Sequence, residues 1–545
     1  MTRSRALLVA AVALALAAPV AIGTSSAATG SSATPTYQAY DLGITGGEPS
    51  IGYDRKADAA VYGSGTQNKR LTWNAANKIT IADAKARSSV TSLDAITFTD
   101  QVTNRTFVSQ LVGACSLTSF SDDAGKTYTP SQGCGPGVLL DHQTVGGGPY
   151  AEGKPPTAGL TGYPDAVYYC AQNSYSGACA RSDDGGLTFG PGVPTYNTPA
   201  TGAPYGGACS AIHGHVRVSK QGVVYLPNKG CGGVPTANNL TNSEFFGGAP
   251  ALSVSEDNGM TWSVRPVPGA HNPDESDPSV DADKAGTVFF GWEDGINPSE
   301  TVYGTTSAAK IATSTDHGKT WSKPYDVSSA LGIHNVQFPE VIAGDPGRAA
   351  FSFIGTPGIG DDQHVGFVGA WHLYVASTID GGKSWTTVDA TPNDPVQRGC
   401  ISLQGTSNKT VADTAICNQR NLLDFNDITV DKAGRVLVAY SDGCRGACIT
   451  DAKSGSKGAE DYVLRQTGGP LLYASSASTA RPVTVVASGP SSSGSGSRSG
   501  SSAPSSAAPA QRLAATGANA ALPGVALLVV GAALLLARRR RSSAS

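Results

Sequence analysis

Short polar segments recur along this chain at the starts of apolar, β-prone runs. They are Glu48-Pro-Ser-Ile-Gly52, Asp94-Ala-Ile-Thr-Phe98, Tyr163-Pro-Asp-Ala-Val167, His213-Gly-His-Val-Arg217, Asp277-Pro-Ser-Val-Asp281, Phe338-Pro-Glu-Val-Ile342 and Asp427-Ile-Thr-Val-Asp431. Residues two apart on a strand share a face, so the first and third positions of each segment point the same way. Those positions include Glu48, Asp94, Asp165, His213, His215, Asp277, Glu340 and Asp427. Carboxylates gathered at one mouth raise one another's pKa, which suits general acid or base work. They also suit a hard cation such as Ca2+. The plainer alternative is that strand-opening Asp and Glu accept turn N–H groups and line a wet channel. No Gly-x-Ser-x-Gly elbow or phosphate loop is present, so the motifs require no cofactor. Asp281-Ala-Asp-Lys-Ala-Gly286 echoes a Ca2+ loop without its twelfth-position Glu and is expected to be a hairpin turn. Asp141-His-Gln143 and the glycines 146–148 are expected to form a polar loop over one face.

A second repeat supplies the elements that would position these groups. Five segments share one turn: Ser121-Asp-Asp-Ala-Gly-Lys-Thr-Tyr128, Ser182-Asp-Asp-Gly-Gly-Leu-Thr-Phe189, Ser255-Glu-Asp-Asn-Gly-Met-Thr-Trp262, Ser314-Thr-Asp-His-Gly-Lys-Thr-Trp321 and Thr378-Ile-Asp-Gly-Gly-Lys-Ser-Trp385. In each, the Asp can accept backbone N–H bonds inside a tight turn. The Gly supplies positive φ, and the closing aromatic is expected to pack against the next unit. The pattern resembles the Asp-box, or bacterial neuraminidase repeat, of sialidases and other β-propellers. That resemblance implies an all-β propeller of four-stranded blades over 36–474, with Asp123, Asp184, Asp257, Asp316 and Asp380 as structural residues on its rim. Seven openings imply seven blades; the sialidase resemblance implies six. Tyr37 to Tyr40 is expected to add an edge strand to the last blade and close the ring.

The resemblance reaches the catalytic residues only in part. Sialidases hold the substrate carboxylate with three arginines and use a Tyr–Glu nucleophile with an Asp acid/base. No Arg-Ile-Pro motif stands in the first unit here. Arg55, Arg70, Arg398 and Arg420 could bind a carboxylate bidentately, and Tyr440 and Tyr473 fall where a nucleophile could sit. Three functions follow: a glycan- or ligand-binding propeller, an active exo-sialidase-type glycoside hydrolase, or a protein-interaction propeller.

The ends carry an address. A basic start with Arg3 and Arg5, an apolar run over 6–22 and small residues up to Ala28 describe a cleaved signal peptide over 1–28. Residues 475–512 are Ser/Ala/Gly/Pro-rich and cannot build a core, which describes a disordered stalk. Leu513-Ala-Ala-Thr-Gly517, an apolar stretch over 518–537 and Arg538 to Arg541 resemble a cell-wall sorting signal of Gram-positive bacteria, in a variant with Ala514 in the usual Pro position. The resemblance implies a transmembrane sorting helix, sortase cleavage between Thr516 and Gly517, and transfer to peptidoglycan. A plain membrane anchor is the alternative, and either contacts the membrane through this segment alone. Ten cysteines in an exported chain imply disulfides, expected as sequential couples: Cys115 with Cys134, Cys170 with Cys179, Cys209 with Cys231, Cys400 with Cys417, and Cys444 with Cys448. Stapling of long loops is their expected role. Setting aside the six arginines of the two ends leaves 33 basic residues against 42 acidic ones in the 545-residue chain. That balance excludes nucleic acid as a partner.

Overall fold

The computed structural model describes residues 34–474, except 66, 85–94, 113–114, 135–140, 155–161, 174–175, 197–208, 210–211, 232–248, 272–275, 296–305, 404–416, 418, 452–453 and 457. The leader, the stalk, Thr516, Gly517, the apolar stretch 518–537 and Asp94 lie outside the described residues. Among the described residues no helix is long and apolar enough to cross a membrane.

Seven antiparallel sheets form seven four-stranded blades, the sixth extended by the short strand Gln397–Arg398. Their inner strands, in blade order, are Ser50–Asp54, Ala95–Thr99, Asp141–Gly148, Arg217–Val218, Ser279–Ala282, Asn335–Ala343 and Asp427–Val430. Each inner strand touches the next, and the seventh touches the first, so the strands ring one axis. Seven is therefore the blade number, and the six-blade alternative does not hold.

Six of the seven polar openings lie at or within an inner strand. The third does not. Tyr163-Pro-Asp165 leads into the second strand of blade three, Ala166–Asn173. The inner strand of that blade is Asp141–Gly148, the segment expected to be a loop. Its glycines are there for close approach: a Cβ on Gly146 would stand 2.4 Å from the Val216 carbonyl oxygen of the next blade.

The ring closes through the chain's first strand. Thr36–Thr45 pairs antiparallel with Glu460–Gly468, with Tyr40 opposite Val463, and forms the outer edge of blade seven. Tyr40, Leu42 and Ile44 are buried there against Tyr53, Tyr62 and Leu71 of blade one. Apolar residues fill each of the other gaps between neighbouring blades in the same way. Strands with both faces covered carry unbroken apolar runs, and Val288-Phe-Phe290 shows the result. Phe289 enters the cluster shared with blade six, and Phe290 the cluster shared with blade four.

The five Asp-boxes are built alike, each joining the third and fourth strands of its blade. Asp257 Oδ1 accepts the Thr261 N–H at 2.8 Å and the Ser255 hydroxyl at 2.9 Å, while Oδ2 accepts the Thr261 hydroxyl at 2.6 Å. Asp123, Asp184, Asp316 and Asp380 hold the corresponding groups of their own turns. The two residues after each Asp have positive φ, as at Asn258 (60°) and Gly259 (77°). One expectation is corrected. Trp262, Trp321 and Trp385 pack into clusters shared with the preceding blade, not the next, because the turn carries the start of the fourth strand back over that neighbour. Asp257→Ala is expected to lower stability by about 1–2 kcal/mol through unsatisfied turn N–H groups. Urea denaturation measures it, and an unchanged midpoint would refute the structural role.

Four of the expected disulfides are formed: Cys170–Cys179, Cys209–Cys231, Cys400–Cys417 and Cys444–Cys448. The side chains of Cys115 and Cys134 lie outside the described residues. Cys170 and Cys179 face each other on adjacent strands of blade three, so that bond cross-links a sheet where a loop staple was expected. Disulfides of this number fit an oxidising compartment.

Candidate functional site

One hydrogen-bond pattern sets the levels of the axis. A side-chain oxygen on one inner strand takes a backbone N–H from the inner strand of the next blade. Ser50 takes that of Thr97 (2.9 Å), Thr144 that of Val216 (3.1 Å), Ser279 that of Val341 (2.9 Å) and Asp427 that of Ile51 (2.9 Å). These four residues are thus equivalent, and His215 and Glu340 precede the equivalents of the accepted N–H groups. Asp427 therefore sits at the level of the third positions, two residues further along the axis than its place in its own segment implied.

At this middle level the structure gathers His215, Glu340 and Asp427. His215 Nδ1 stands 3.8 Å from Glu340 Oε1 and 3.7 Å from Asp427 Oδ1. The other oxygen of each carboxylate is held by a serine: Ser279 donates to Glu340 Oε2 at 2.9 Å, and Ser50 to Asp427 Oδ2 at 2.8 Å. Phe425 meets the imidazole edge-on at 4.9 Å. Burial pushes the Glu340 carboxyl up to about 7, against the opposing pull of His215. Burial acts the same way on Asp427, but His215, Arg217 and the Ile51 N–H together hold it below the usual carboxylate range. His215 is driven the other way by burial, yet the Glu340 and Asp427 charges raise it above an ordinary histidine.

Where the inner strands begin, His142 Nδ1 lies 3.0 Å from Asp277 Oδ2, and the His213 ring is 6.4 Å from that of His142. Burial lowers His213 to about 4, so it is neutral and its Nδ1 donates to the Gly214 carbonyl at 3.0 Å. Glu48 lies here too, its Oε1 accepting the Asp424 N–H at 3.2 Å. Glu48, His142 and Phe338 have φ of 51°, 46° and 57°. Non-glycine residues held in this region concentrate at functional sites.

Where the inner strands end, a second mouth opens. Its lining includes Arg55, Asp100, Arg217, Lys220, Asp281, Lys284 and Tyr473. The Asp-box turns lie on this side, since Gly381 N–H bonds to Gly347 O in the turn that follows the sixth inner strand. Arg217 separates the mouth from the middle level, its Nη2 3.4 Å from Asp427 Oδ1. Tyr473 orders the rim. The Arg55 guanidinium lies 4.7 Å from its ring centre and donates to its hydroxyl, and the Lys284 ammonium lies 4.5 Å from the same ring. Asp165, expected on the channel, instead sits off it beside Asp100, because its segment opens a second strand. Burial and the Asp100 charge push Asp165 up to about 7. Asp281-Ala-Asp-Lys-Ala-Gly286 is the expected turn, with Asp283 Oδ1 accepting the Ala285 and Thr287 N–H groups at 2.9 Å each.

The arginines of the sequence reading do not converge. Arg398 holds the carbonyls of Cys448 and Ile449, Arg420 pairs with Asp424, and Arg70 is on the third strand of blade one. Tyr440 is fully buried against Tyr462 in blade seven. Arg217 and His142 were not singled out from the sequence. Arg217 could have been found by continuing the two-residue period from His213 through His215. His142 was hidden by the glycines that follow it.

Two buried acids near the closure of the ring give stability a pH dependence. Burial pushes Asp461 up to about 7 and Asp442 up to about 8. Acids raised in the folded state bind more protons than the unfolded chain, so their contribution is complete below about pH 4 and is lost as pH rises through 7 to 8. The melting temperature is expected to fall between pH 5 and pH 8.5, and Asp461→Asn to flatten the fall. A profile that rises over this range contradicts the assignment.

The BNR/Asp-box repeat family model matches residues 312–323, the span of the fourth box. No curated protein matches the chain. Among solved structures, the chain is similar to the Aleuria aurantia lectin in complex with Fucα1-6GlcNAc, at 12% identity and a TM-score of 0.37, with 63% of this chain and 96% of that one covered. It is also similar to the polysaccharide lyase Uly1, at 7% identity and a TM-score of 0.42, with 77% and 90% covered. An ancestral GH74 enzyme matches at 12% identity and a TM-score of 0.40, with 75% and 46% covered. The chain is a seven-bladed β-propeller that carries a BNR/Asp-box repeat.

Proposed function

We propose that the chain is an exported, wall-anchored propeller that binds an acidic extracellular glycan at the mouth beside its Asp-box turns and does not hydrolyse it. One observation carries the reading: Arg55, Arg217, Lys220 and Lys284 line this mouth against two acids, Asp100 and Asp281, in a body that is itself mildly acidic. Burial pushes Asp281 upward, which lowers its share of negative charge. Arg55 and Lys284 lie against Tyr473 and Lys284 also pairs with Asp345 at 2.5 Å, while Lys220 is exposed and makes no ion pair among the described residues. Charge-assisted hydrogen bonds from such a rim suit a uronate, sialate or sulfate group. The signal peptide and sorting signal of the sequence support display outside the cell, as do the disulfides.

Binding without turnover is favoured by the chemistry around the mouth. The carboxyl most strongly raised near the mouth, Asp165, sits off the channel beside Asp100. Glycoside hydrolysis needs its carboxyls about 5–9.5 Å apart, with the sugar between them. Of the arginines named for a sialidase-type carboxylate grip, Arg55 lines the mouth, while Arg70, Arg398 and Arg420 do not. In a panel of acidic and neutral polysaccharides, the acidic members are expected to bind and to release no new reducing ends. Lys220→Glu combined with Lys284→Glu is expected to weaken binding at least tenfold at low salt. Equal binding of neutral glycans, or release of sugar, would overturn the proposal.

A further inference from the structure

We infer that His215, Glu340 and Asp427 form a binding site for one divalent first-row transition ion, holding the inner strands of blades four, six and seven together at the axis. One donor atom from each residue lies within 4.8 Å of the other two. All three side chains are buried, and none is used by the glycan-binding reading, on which this inference does not depend.

The spacing is the argument. A proton on His215 Nδ1 would draw a carboxylate oxygen to about 2.7–2.9 Å. The two oxygens instead stand at 3.7 and 3.8 Å. Metal–ligand bonds of about 2.0–2.2 Å place neighbouring donors roughly 3.3–3.8 Å apart at tetrahedral to trigonal angles. The His215 side chain is nine-tenths buried and is aimed at both carboxylates, with its Nδ1 at 3.7 and 3.8 Å from them.

Each carboxylate is also turned so that one oxygen faces His215. Serines hold Glu340 Oε2 and Asp427 Oδ2, the outer-shell support that fixes ligand orientation at metal sites. Asp427 Oδ1 additionally accepts the Ile428 N–H at 2.8 Å and is approached by Arg217 at 3.4 Å. Imidazole with two carboxylates selects Zn2+ or Mn2+ over the all-oxygen preference of Ca2+.

The test is calorimetry on the full chain after exhaustive chelation, with Zn2+, Mn2+ and Ca2+ titrated separately and melting curves alongside. One equivalent of Zn2+ or Mn2+ is expected to bind and raise the melting temperature. Glu340→Gln and His215→Gln are expected to weaken that binding at least 100-fold, and Asp277→Asn to leave it unchanged. If either variant does not fold, the cobalt(II) spectrum of the wild type decides, since the intense visible bands of a four- or five-coordinate ion appear only if protein groups replace its waters. No binding, binding unchanged in both variants, or preference for Ca2+ overturns the inference.

Discussion

A variant of this propeller that begins at Gly46 is expected to lose its closed ring and its cooperative unfolding. The missing strand pairs along Glu460–Gly468 and buries Tyr40, Leu42 and Ile44. Each such side chain contributes about 1.5–3 kcal/mol on burial, while a whole domain is stable by roughly 5–15 kcal/mol. Removing three of them, about 4.5–9 kcal/mol, and leaving a strand edge open to solvent takes up most of that margin. A peptide spanning 34–46, added in trans, is expected to restore the transition. Near-ultraviolet circular dichroism through a urea gradient measures both effects. A sharp transition at the wild-type midpoint without the peptide would show that the ring closes some other way.

The second large effect belongs to Asp427. Asp427→Ala is expected to lower stability by about 3–5 kcal/mol, the range seen when one partner of a buried ion pair is removed. Its carboxylate accepts the Ser50 hydroxyl and the N–H groups of Ile51 and Ile428, and it faces Arg217 and His215. Alanine leaves all of these groups unmatched in a buried place. Asp427→Asn keeps the shape and one acceptor, so a smaller loss is expected. Urea denaturation of both variants measures the difference. A loss under 1 kcal/mol in Asp427→Ala would mean that the axis tolerates an unpaired arginine, and the account of the middle level would fail.

Much of this architecture is legible in the residues, for physical reasons. The Asp-box announces itself because its carboxylate must meet the same N–H and hydroxyl groups in every copy, and that fixes both residue type and spacing. Six inner strands are legible because a polar residue opens an apolar strand. The seventh is not, because blade three replaces the apolar signal with three glycines: Gly146 and Gly148 meet Val216 and Val218 of the next blade, and Gly147 meets Ala166 and Phe98. His215 and Glu340 are found by two-residue alternation, which survives any error in where a strand starts. Asp427 is found one level away from its place, since a segment's first polar residue does not mark the same height in every blade. The mouth beside the Asp-boxes is the least legible part. Arg55, Lys220, Lys284 and Tyr473 come from turns and from the segment after the last strand, far apart in sequence, and only the ring brings them together.

Hydrogen exchange with and without an acidic oligosaccharide tests the central claim most directly, because it reports which end of the axis the ligand touches. Protection is expected in peptides covering 53–58, 217–222 and 281–286, which carry Arg55, Lys220 and Lys284, and it should fade as salt screens the charges. Protection confined to 141–143, 276–279 and 335–340, around His142, Asp277 and Glu340, would place the site at the opposite mouth and contradict the account.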